Sequence, residues 1–128
     1  MISKVTAGIK ISVATSYQPG FSDEKNEEYL FSYAIYIENH NDYCVHLLKR
    51  HWEITDGVGF IRIVDGPGVI GKQPIINPFE GFNYDSACDF HTPIGTMEGG
   101  YLFKNTQTGE LFNVEVPKFT MVAPQKLN

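Results

Sequence analysis

The feature that most constrains the fold of this chain is the recurrence of apolar residues at every second position. The alternation is clearest in residues 5–17, 29–39 and 82–90. A period of two residues is typical of a β-strand with one buried face, whereas an amphipathic helix has a period of 3.6 residues. Since no segment shows the helical period, the sequence predicts an all-β protein without a helix longer than about two turns.

Further strands are predicted at 43–54, 60–64, 100–104 and 110–116, and two more segments are candidates: a brief strand at 73–76 and an edge strand at 117–122. Turn residues separate them, such as the Asn and Asp residues of 39–42 and the Asp56-Gly57 pair. The segment 92–99 holds a proline and two glycines and is predicted to be a loop. Seven or eight short strands at this spacing predict an antiparallel β-sandwich of immunoglobulin or fibronectin-III type, with a closed barrel as the alternative.

Length and charge limit the classes of function. At 128 residues, the chain is expected to form one domain, 1–128. Its net charge of -5 argues against nucleic-acid binding, which requires clustered Lys and Arg. The sequence has no signal-peptide pattern and no apolar run of membrane-spanning length, so we expect no membrane insertion and a cytoplasmic location. Cys44 and Cys88 lie outside any CxxC pair and are expected to be reduced and apart.

The glycine-rich segment 66–74 contains Gly66-x-Gly68-x-x-Gly71, which matches the dinucleotide-binding fingerprint as text. The fingerprint works when its glycines join a strand to a helix whose N-terminus faces a pyrophosphate. Here Pro74 follows closely and no helix is predicted, so the segment is expected to be a loop between two strands. A nest of backbone N–H groups assisted by Lys72 is the remaining way for it to bind an anion.

The basic triplet Lys49-Arg50-His51 precedes the single tryptophan, Trp52. In a strand, Arg50 and Trp52 point to the same face. This arrangement predicts an arginine that stacks on the indole ring or pairs with Asp56 or Asp65.

No metal centre or catalytic residue is predicted. The histidines show no HxH, HxxxH or HExxH spacing, and they are His40, His46, His51 and His91. No Ser-His-Asp or Cys-His spacing points to a nucleophile, and no paired carboxylates stand out. We therefore expect a protein that is not an enzyme and needs no cofactor.

Several motifs together resemble the ApaG (CorD) family: Arg50-His51-Trp52, Thr55-Asp56, Gly66-Pro67-Gly68-Val69-Ile70-Gly71-Lys72-Gln73-Pro74, Phe82-x-Tyr84-x-Ser86 and Thr92-Pro93-x-Gly95-x-Met97. The resemblance implies a fibronectin-III-like β-sandwich and supplies no catalytic residues to carry over. It associates bacterial members with resistance to cobalt and magnesium, and the domain in larger eukaryotic proteins with protein binding. Lys72 stands where the family commonly has an acid, which weakens any metal site there.

These observations predict a non-catalytic interaction module that binds another protein, with a homodimer left open. The expected binding loop consists of Gly66, Gly68, Val69, Ile70, Gly71, Lys72, Gln73 and Pro74, supported by Arg50, His51, Trp52 and Asp56. Val69 and Ile70 are expected to be exposed contact residues, the alternative being that they tuck under the loop. The rival hypothesis is a small-ligand binder that takes a divalent cation, or a nucleotide or pyrophosphate at the glycine-rich loop.

Overall fold

The computed structural model describes residues 1–124 as two packed antiparallel sheets made of nine strands. The strands are β1 Ile2–Thr6, β2 Ile9–Tyr17, β3 Tyr29–Asn39, β4 Val45–Asp56, β5 Ile61–Pro67, β6 Ile75–Ile76, β7 Gly81–Phe90, β8 Ile94–Asn105 and β9 Leu111–Val122. The first sheet has the order β1-β2-β3-β7. The second has the order β5-β4-β8-β9, with β6 paired to β4. Two separate sheets confirm the sandwich and rule out the closed barrel.

Helical backbone within residues 1–124 is limited to two 3-10 turns, Pro19–Phe21 and Glu24–Asn26. Both lie in the connection between β2 and β3. Neither is long or apolar enough to cross a membrane.

The core fills the space between the sheets, and Trp52 lies near its centre. Its ring contacts those of Tyr33, Tyr101 and Phe119 nearly edge-on, with centroid distances of 5.9, 6.1 and 6.0 Å. Edge-to-face contacts of this kind stabilise aromatic pairs beyond the burial of their area. The alternation predicted for β3 is confirmed, since its inward residues are buried: Phe31, Tyr33, Ile35 and Ile37.

The predicted strand at 5–17 is wrong, because these residues form β1, a turn and β2. Thr6 pairs with Ile9, and the two residues between them have positive φ angles, 49° at Ala7 and 76° at Gly8. Such a two-residue turn reverses the odd–even relation, because paired residues share a face: Val5 lies opposite Lys10 and is 60% exposed, whereas Ile9, Ile11 and Val13 are buried. The apolar period of the sequence continues through the turn only because the exposed Val5 is apolar, and the structure has nine strands rather than seven or eight.

The loop predicted at 92–99 is also wrong, because most of it belongs to β8. A Cβ atom at Gly95 would lie 2.2 Å from the ring of Phe90, and one at Gly99 would lie 1.9 Å from the carbonyl oxygen of His51. Glycine marks close approach of a neighbouring group here rather than a break in the strand.

The two strands predicted at 110–116 and 117–122 form one strand, β9. The register between β8 and β9 shifts between Met97 and Gly99, which leaves Pro117 and Lys118 opposite a single residue of β8. A bulge on an edge strand tolerates proline, because the missing N–H has no partner to lose.

The two open sides of the sandwich differ. On one side β1 and β9 meet, where the Glu115 amide donates to the Thr6 hydroxyl and Lys4 pairs with the Glu115 carboxylate. On the other side the edge strands β5 and β7 are bridged by Arg62. Its Nη2 donates to the Asp89 carbonyl oxygen at 2.6 Å and lies 3.4 Å from the Asp89 carboxylate. A cleft between the sheets opens on this second side.

Candidate functional site

Arg50 holds the glycine-rich segment against β4. Its Nη1 atom donates to the carbonyl oxygens of Pro67 at 3.0 Å and Gly68 at 3.1 Å. The guanidinium covers Gly66, where a Cβ atom would lie 2.9 Å from Nη1. The first glycine of the motif therefore makes room for an arginine. The predicted ion pair between Arg50 and Asp56 or Asp65 is wrong, since no carboxylate of residues 1–124 pairs with Arg50.

The segment between Gly68 and Lys72 is a tight hairpin turn. Val69 and Lys72 exchange backbone hydrogen bonds of 2.8 and 2.9 Å, and the φ angles of Ile70 and Gly71 are 45° and 74°. The Gly68 amide donates to the Leu48 carbonyl oxygen. Three N–H groups of the motif are thus bonded within the protein, which counts against an anion nest built from consecutive free N–H groups.

The two apolar residues of this turn have different environments. Val69 is fully buried, whereas the side chain of Ile70 is about half exposed at 51%. The expectation that both are exposed is wrong for Val69, which tucks under the loop and joins the core. Gln73 and Pro74, which follow the turn, are bonded to β4. The Leu47 backbone N–H donates to the Pro74 carbonyl oxygen, and the side-chain amide of Gln73 donates to the Leu48 carbonyl oxygen.

The other supporting residues have three separate roles. His51 faces outward, with Nδ1 at 2.6 Å from the Asp65 carboxylate. Trp52 is buried in the core. The Asp56 carboxylate accepts hydrogen bonds from the amides of Val58 and Phe60, each at 3.0 Å, and so closes the turn between β4 and β5. Only His51 belongs to an exposed site.

A depression of about 630 Å³ lies on the outer face of the second sheet. We call it the outer groove. It runs across four strands between Asp65 and Pro67 on β5 and Asn113 and Glu115 on β9. Its floor includes Gly100, where a Cβ atom would lie 2.5 Å from the Val114 carbonyl oxygen. Because the backbone of β9 excludes a side chain there, the face of the sheet has a hollow.

Exposed apolar residues continue this surface along β5 and the turn before it. They are 50% to 76% exposed and comprise Val58, Phe60, Ile61 and Ile63. Within residues 1–124, β5 is paired with β4 alone, so one edge of the strand is open. On the outer face Ile63 lies opposite Glu53, which in turn lies opposite Glu98. We call the four apolar residues, together with Asp65, Pro67 and the neighbouring Glu53 and Glu98, the β5 surface.

The sequence reasoning missed both the outer groove and the β5 surface. The consecutive glycines Gly99 and Gly100 are the available signal for the groove, but the sequence pattern places Gly99 at the end of a loop and Gly100 at the beginning of a strand. For the β5 surface, the signal was the apolar content of Ile61 and Ile63 on both sides of an arginine, in a strand too short to show a clear period.

A cluster of buried tyrosine hydroxyls lies beneath Arg50. The hydroxyls of Tyr84 and Tyr101 share a hydrogen bond of 2.5 Å. Burial raises the pKa of Tyr33, Tyr84 and Tyr101, and it does so strongly for the last two. The positive charge of Arg50 lowers the pKa of all three but does not offset burial.

These raised pKa values predict a loss of stability in alkaline solution. The folded protein keeps the three protons, while the unfolded chain releases them near pH ~10. The contribution of these tyrosines to stability should therefore be constant below about pH 10 and fall above it by up to ~4 kcal/mol per pH unit, or ~1.4 kcal/mol for each tyrosine. Urea unfolding followed between about pH 8 and pH 11 measures this slope. A Tyr84→Phe variant should show a shallower fall, and a slope equal to that of the parent would contradict the assignment.

The histidines and cysteines lie in separate environments. His46 Nε2 is 3.1 Å from the Gln73 carbonyl oxygen, and His91 Nδ1 is 3.2 Å from that of Glu27. Cys44 and Cys88 are both free. In the part of the chain that the structure describes, no group of three or more His, Cys, Asp or Glu side chains is placed to hold a metal ion.

Comparison with known proteins assigns the chain to a family. The family model of the ApaG domain matches residues 19–105. The chain belongs to the ApaG domain family. Protein ApaG of Thiobacillus denitrificans is 41% identical over 120 residues, which cover 94% of each chain. Protein ApaG of Mesorhizobium japonicum is 40% identical over 124 residues, 97% of this chain and 95% of that protein.

Solved structures agree with the sandwich. The crystal structure of the ApaA protein from Bordetella pertussis superposes with a TM-score of 0.88 at 37% identity, covering 92% of this ApaG domain and 95% of that chain. The C-terminal domain of wzt superposes with a TM-score of 0.59 at 8% identity, over 98% of this chain and 79% of that one. The second likeness shows a shared fold alone.

Proposed function

We propose that this ApaG domain is a non-catalytic module that binds another protein through the β5 surface. The observation that carries the proposal is an edge strand with exposed apolar residues, Ile61 and Ile63, preceded by exposed Val58 and Phe60. Proteins usually protect such an edge with charges, prolines or a covering segment, because it invites pairing with another chain. A contiguous apolar surface of this kind is typical of an interaction site.

The partner contributes an extended segment that adds to the open edge of β5. Main-chain hydrogen bonds supply affinity in this mode, and pockets for alternate side chains supply specificity. The β5 surface offers apolar contacts at Ile61 and Ile63. It also carries the carboxylates of Glu53, Asp65 and Glu98 in a chain of net charge -5. A segment that alternates apolar and basic residues complements this combination.

The outer groove gives the segment a place for one larger side chain. It borders β5 at Asp65 and Pro67, so a strand laid along that edge can direct a side chain across the sheet. The missing side chain at Gly100 allows the group to approach the backbone. Ile70 and Lys72, exposed in the neighbouring hairpin turn, extend the same contact area and keep the predicted role of the glycine-rich segment.

The association of the family with cobalt and magnesium resistance belongs, on this proposal, to the partner. The cytoplasm is the compartment that we propose, because Cys44 and Cys88 are free thiols. The rival proposal, a small-ligand binder, has less support at the glycine-rich loop, where the amides of Gly68, Val69 and Lys72 are already bonded.

The test is a pair of charge substitutions on β5. Protein captured from the source cell is identified, purified and titrated against the domain. Ile61→Lys with Ile63→Lys should weaken binding about 100-fold, because two apolar contacts are lost and the open edge is blocked by charge. The matched control, Ile75→Lys with Val122→Lys, changes two apolar residues of similar exposure elsewhere and should leave affinity within about threefold.

Hydrogen exchange on the complex locates the contact. The partner should protect amides of β5, Ile61–Pro67, that exchange quickly in the free domain. Binding that survives the double substitution would contradict the proposal. Self-association lost in the same variant would instead make a second copy the occupant. A saturable one-to-one cobalt site in calorimetry, tighter than about micromolar and lost with His46 or His91, would make cation binding the primary function.

A further inference from the structure

A second cavity lies on the opposite side of β5, inside the sandwich. It is a cleft of about 290 Å³ between the edges of β5 and β7, close to the lower size limit of small-molecule sites. Polar groups reach it from four strands: Tyr33, Arg50, Arg62, Ser86 and Cys88. Its apolar part includes Trp52, Val64 and Met97.

The charges around this inter-sheet cleft do not balance. Arg62 forms an ion pair with Asp89, in which Nη2 lies 3.4 Å from a carboxylate oxygen. Arg50 bonds two carbonyl oxygens through Nη1, and no carboxylate among residues 1–124 lies within 4.0 Å of it. Two guanidinium groups and one carboxylate leave a net charge of one positive unit in the cleft of an acidic protein.

A partly buried cation without a counter-charge is a costly arrangement unless something compensates it. Asp65 could have provided compensation, but it pairs with His51 on the outer face. The loop carbonyl oxygens of Pro67 and Gly68 satisfy one nitrogen of Arg50. A guanidinium has five donors, and the planar fork formed by its nitrogens matches a carboxylate.

Hydroxyl donors lie beside the two arginines. Burial raises the pKa of Tyr33, and the neighbouring Ser86 hydroxyl and the charge of Arg50 lower it in part. Tyr33 therefore remains a neutral donor at physiological pH. The thiol of Cys88 lies 3.3 Å from Arg62 Nη2, and burial raises its pKa as well. The cleft thus presents cations and neutral donors next to an apolar wall.

We propose that the inter-sheet cleft binds a small organic acid, with the carboxylate between Arg50 and Arg62 and the apolar body against Trp52 and Met97. A bidentate contact with a guanidinium is the strong form of this interaction. The side chain of Arg62 faces the cleft, whereas Ile61 and Ile63 face outward from the same strand. The ligand and the side chains of the protein partner therefore contact opposite faces of β5, although a segment added to its open edge lies at the mouth of the cleft.

Trp52 is the single tryptophan of the chain and lines the cleft, so its fluorescence reports on occupancy. The probes are cyclohexanecarboxylate, its neutral carboxamide and inorganic phosphate. We expect a saturable change with the carboxylate below about 10 mM, at least tenfold weaker binding of the carboxamide, and weaker binding of phosphate, which has no apolar body. Nuclear magnetic resonance should place the largest amide shifts at residues 86–89.

Arg62→Gln should weaken the carboxylate at least tenfold and leave the fold intact, because this side chain is on an open edge. Lys49→Gln removes the same charge from the outer face and should change affinity less than twofold. Arg50 is left unchanged because it also holds the glycine-rich segment. The proposal is overturned if the carboxylate gives no saturable change, if the carboxamide binds equally well, if phosphate binds more tightly, or if both variants have the same effect.

Discussion

A Gly99→Ala variant is expected to lose about 3 kcal/mol or more of its stability, near or beyond the upper end of the usual overpacking cost. The added Cβ atom would lie 1.9 Å from the carbonyl oxygen of His51, a backbone atom of the neighbouring strand. Neither β4 nor β8 can move away, since both are central strands paired on two sides. Thermal unfolding should show a melting temperature lower by about 10 °C or more.

Gly20→Ala is the matched control for this substitution. It adds the same methyl group at a position with nothing within 4 Å and an ordinary φ angle. Its stability should change by less than about 0.5 kcal/mol. Equal stabilities of the two variants would show that β4 and β8 do not approach as closely as the structure has them.

The second large effect is expected at Val69. A Val69→Ser variant should lose about 2 kcal/mol or more, because the side chain is fully buried and the hydroxyl enters an apolar environment. Ile70→Ser, one residue along the same turn, should change stability by less than about 0.5 kcal/mol. Urea unfolding of the two single variants measures both effects, and a cost of about 2 kcal/mol at Ile70 would place that side chain in the core.

Ile70 adds a sharper form of the same test. Its φ angle of 45° is unfavourable for a β-branched residue. Ile70→Gly should therefore raise stability by about 1 kcal/mol, while Val69→Gly should lower it by more than Val69→Ser does. Opposite signs at adjacent positions would be hard to obtain unless the turn has the described geometry.

Local patterning was sufficient for much of the fold. The strand predicted at 29–39 has the bounds of β3, and that at 82–90 differs from β7 by one residue. One face of each strand lies in the core, so apolar residues mark the buried positions and polar residues mark many of the others. The placement of β3 in the interior of its sheet also follows, because both of its faces carry apolar side chains.

The errors arise where the choice of a residue depends on a contact that forms only in the folded structure. Gly95 and Gly99 are glycines because of Phe90 and His51, and neither requirement can be read from neighbouring residues. The sequence pattern hides the turn at Ala7 and Gly8 because Val5 is apolar although it is exposed, and so it continues the apolar series of β2. The deciding contact depends on the pairing of strands at Gly99 and at the turn, and on the packing of the two sheets at Gly95, and a period in the sequence encodes neither.

In the candidate site, too, the sequence identifies individual residues but not the contacts between them. Sequence motifs correctly drew attention to Arg50 and to the segment from Gly66 to Pro74, but not to their relation. The guanidinium lies over Gly66 and bonds the next two carbonyl oxygens, so the arginine and the glycine-rich segment form one structural unit. The polarity of Arg50 gave no indication whether a carboxylate, a carbonyl oxygen or a ligand would satisfy it.

The position of β9 has a consequence for how the protein is made. This strand completes the second sheet beside β8 and also contacts β1 and β2 of the first sheet. On a ribosome, every other described strand emerges before it, and until then β8 exposes an unpaired edge and the core lacks Phe119. The sandwich can close only after translation has passed Leu111–Val122, and until then the nascent chain exposes apolar surface and a strand edge, the features that favour aggregation.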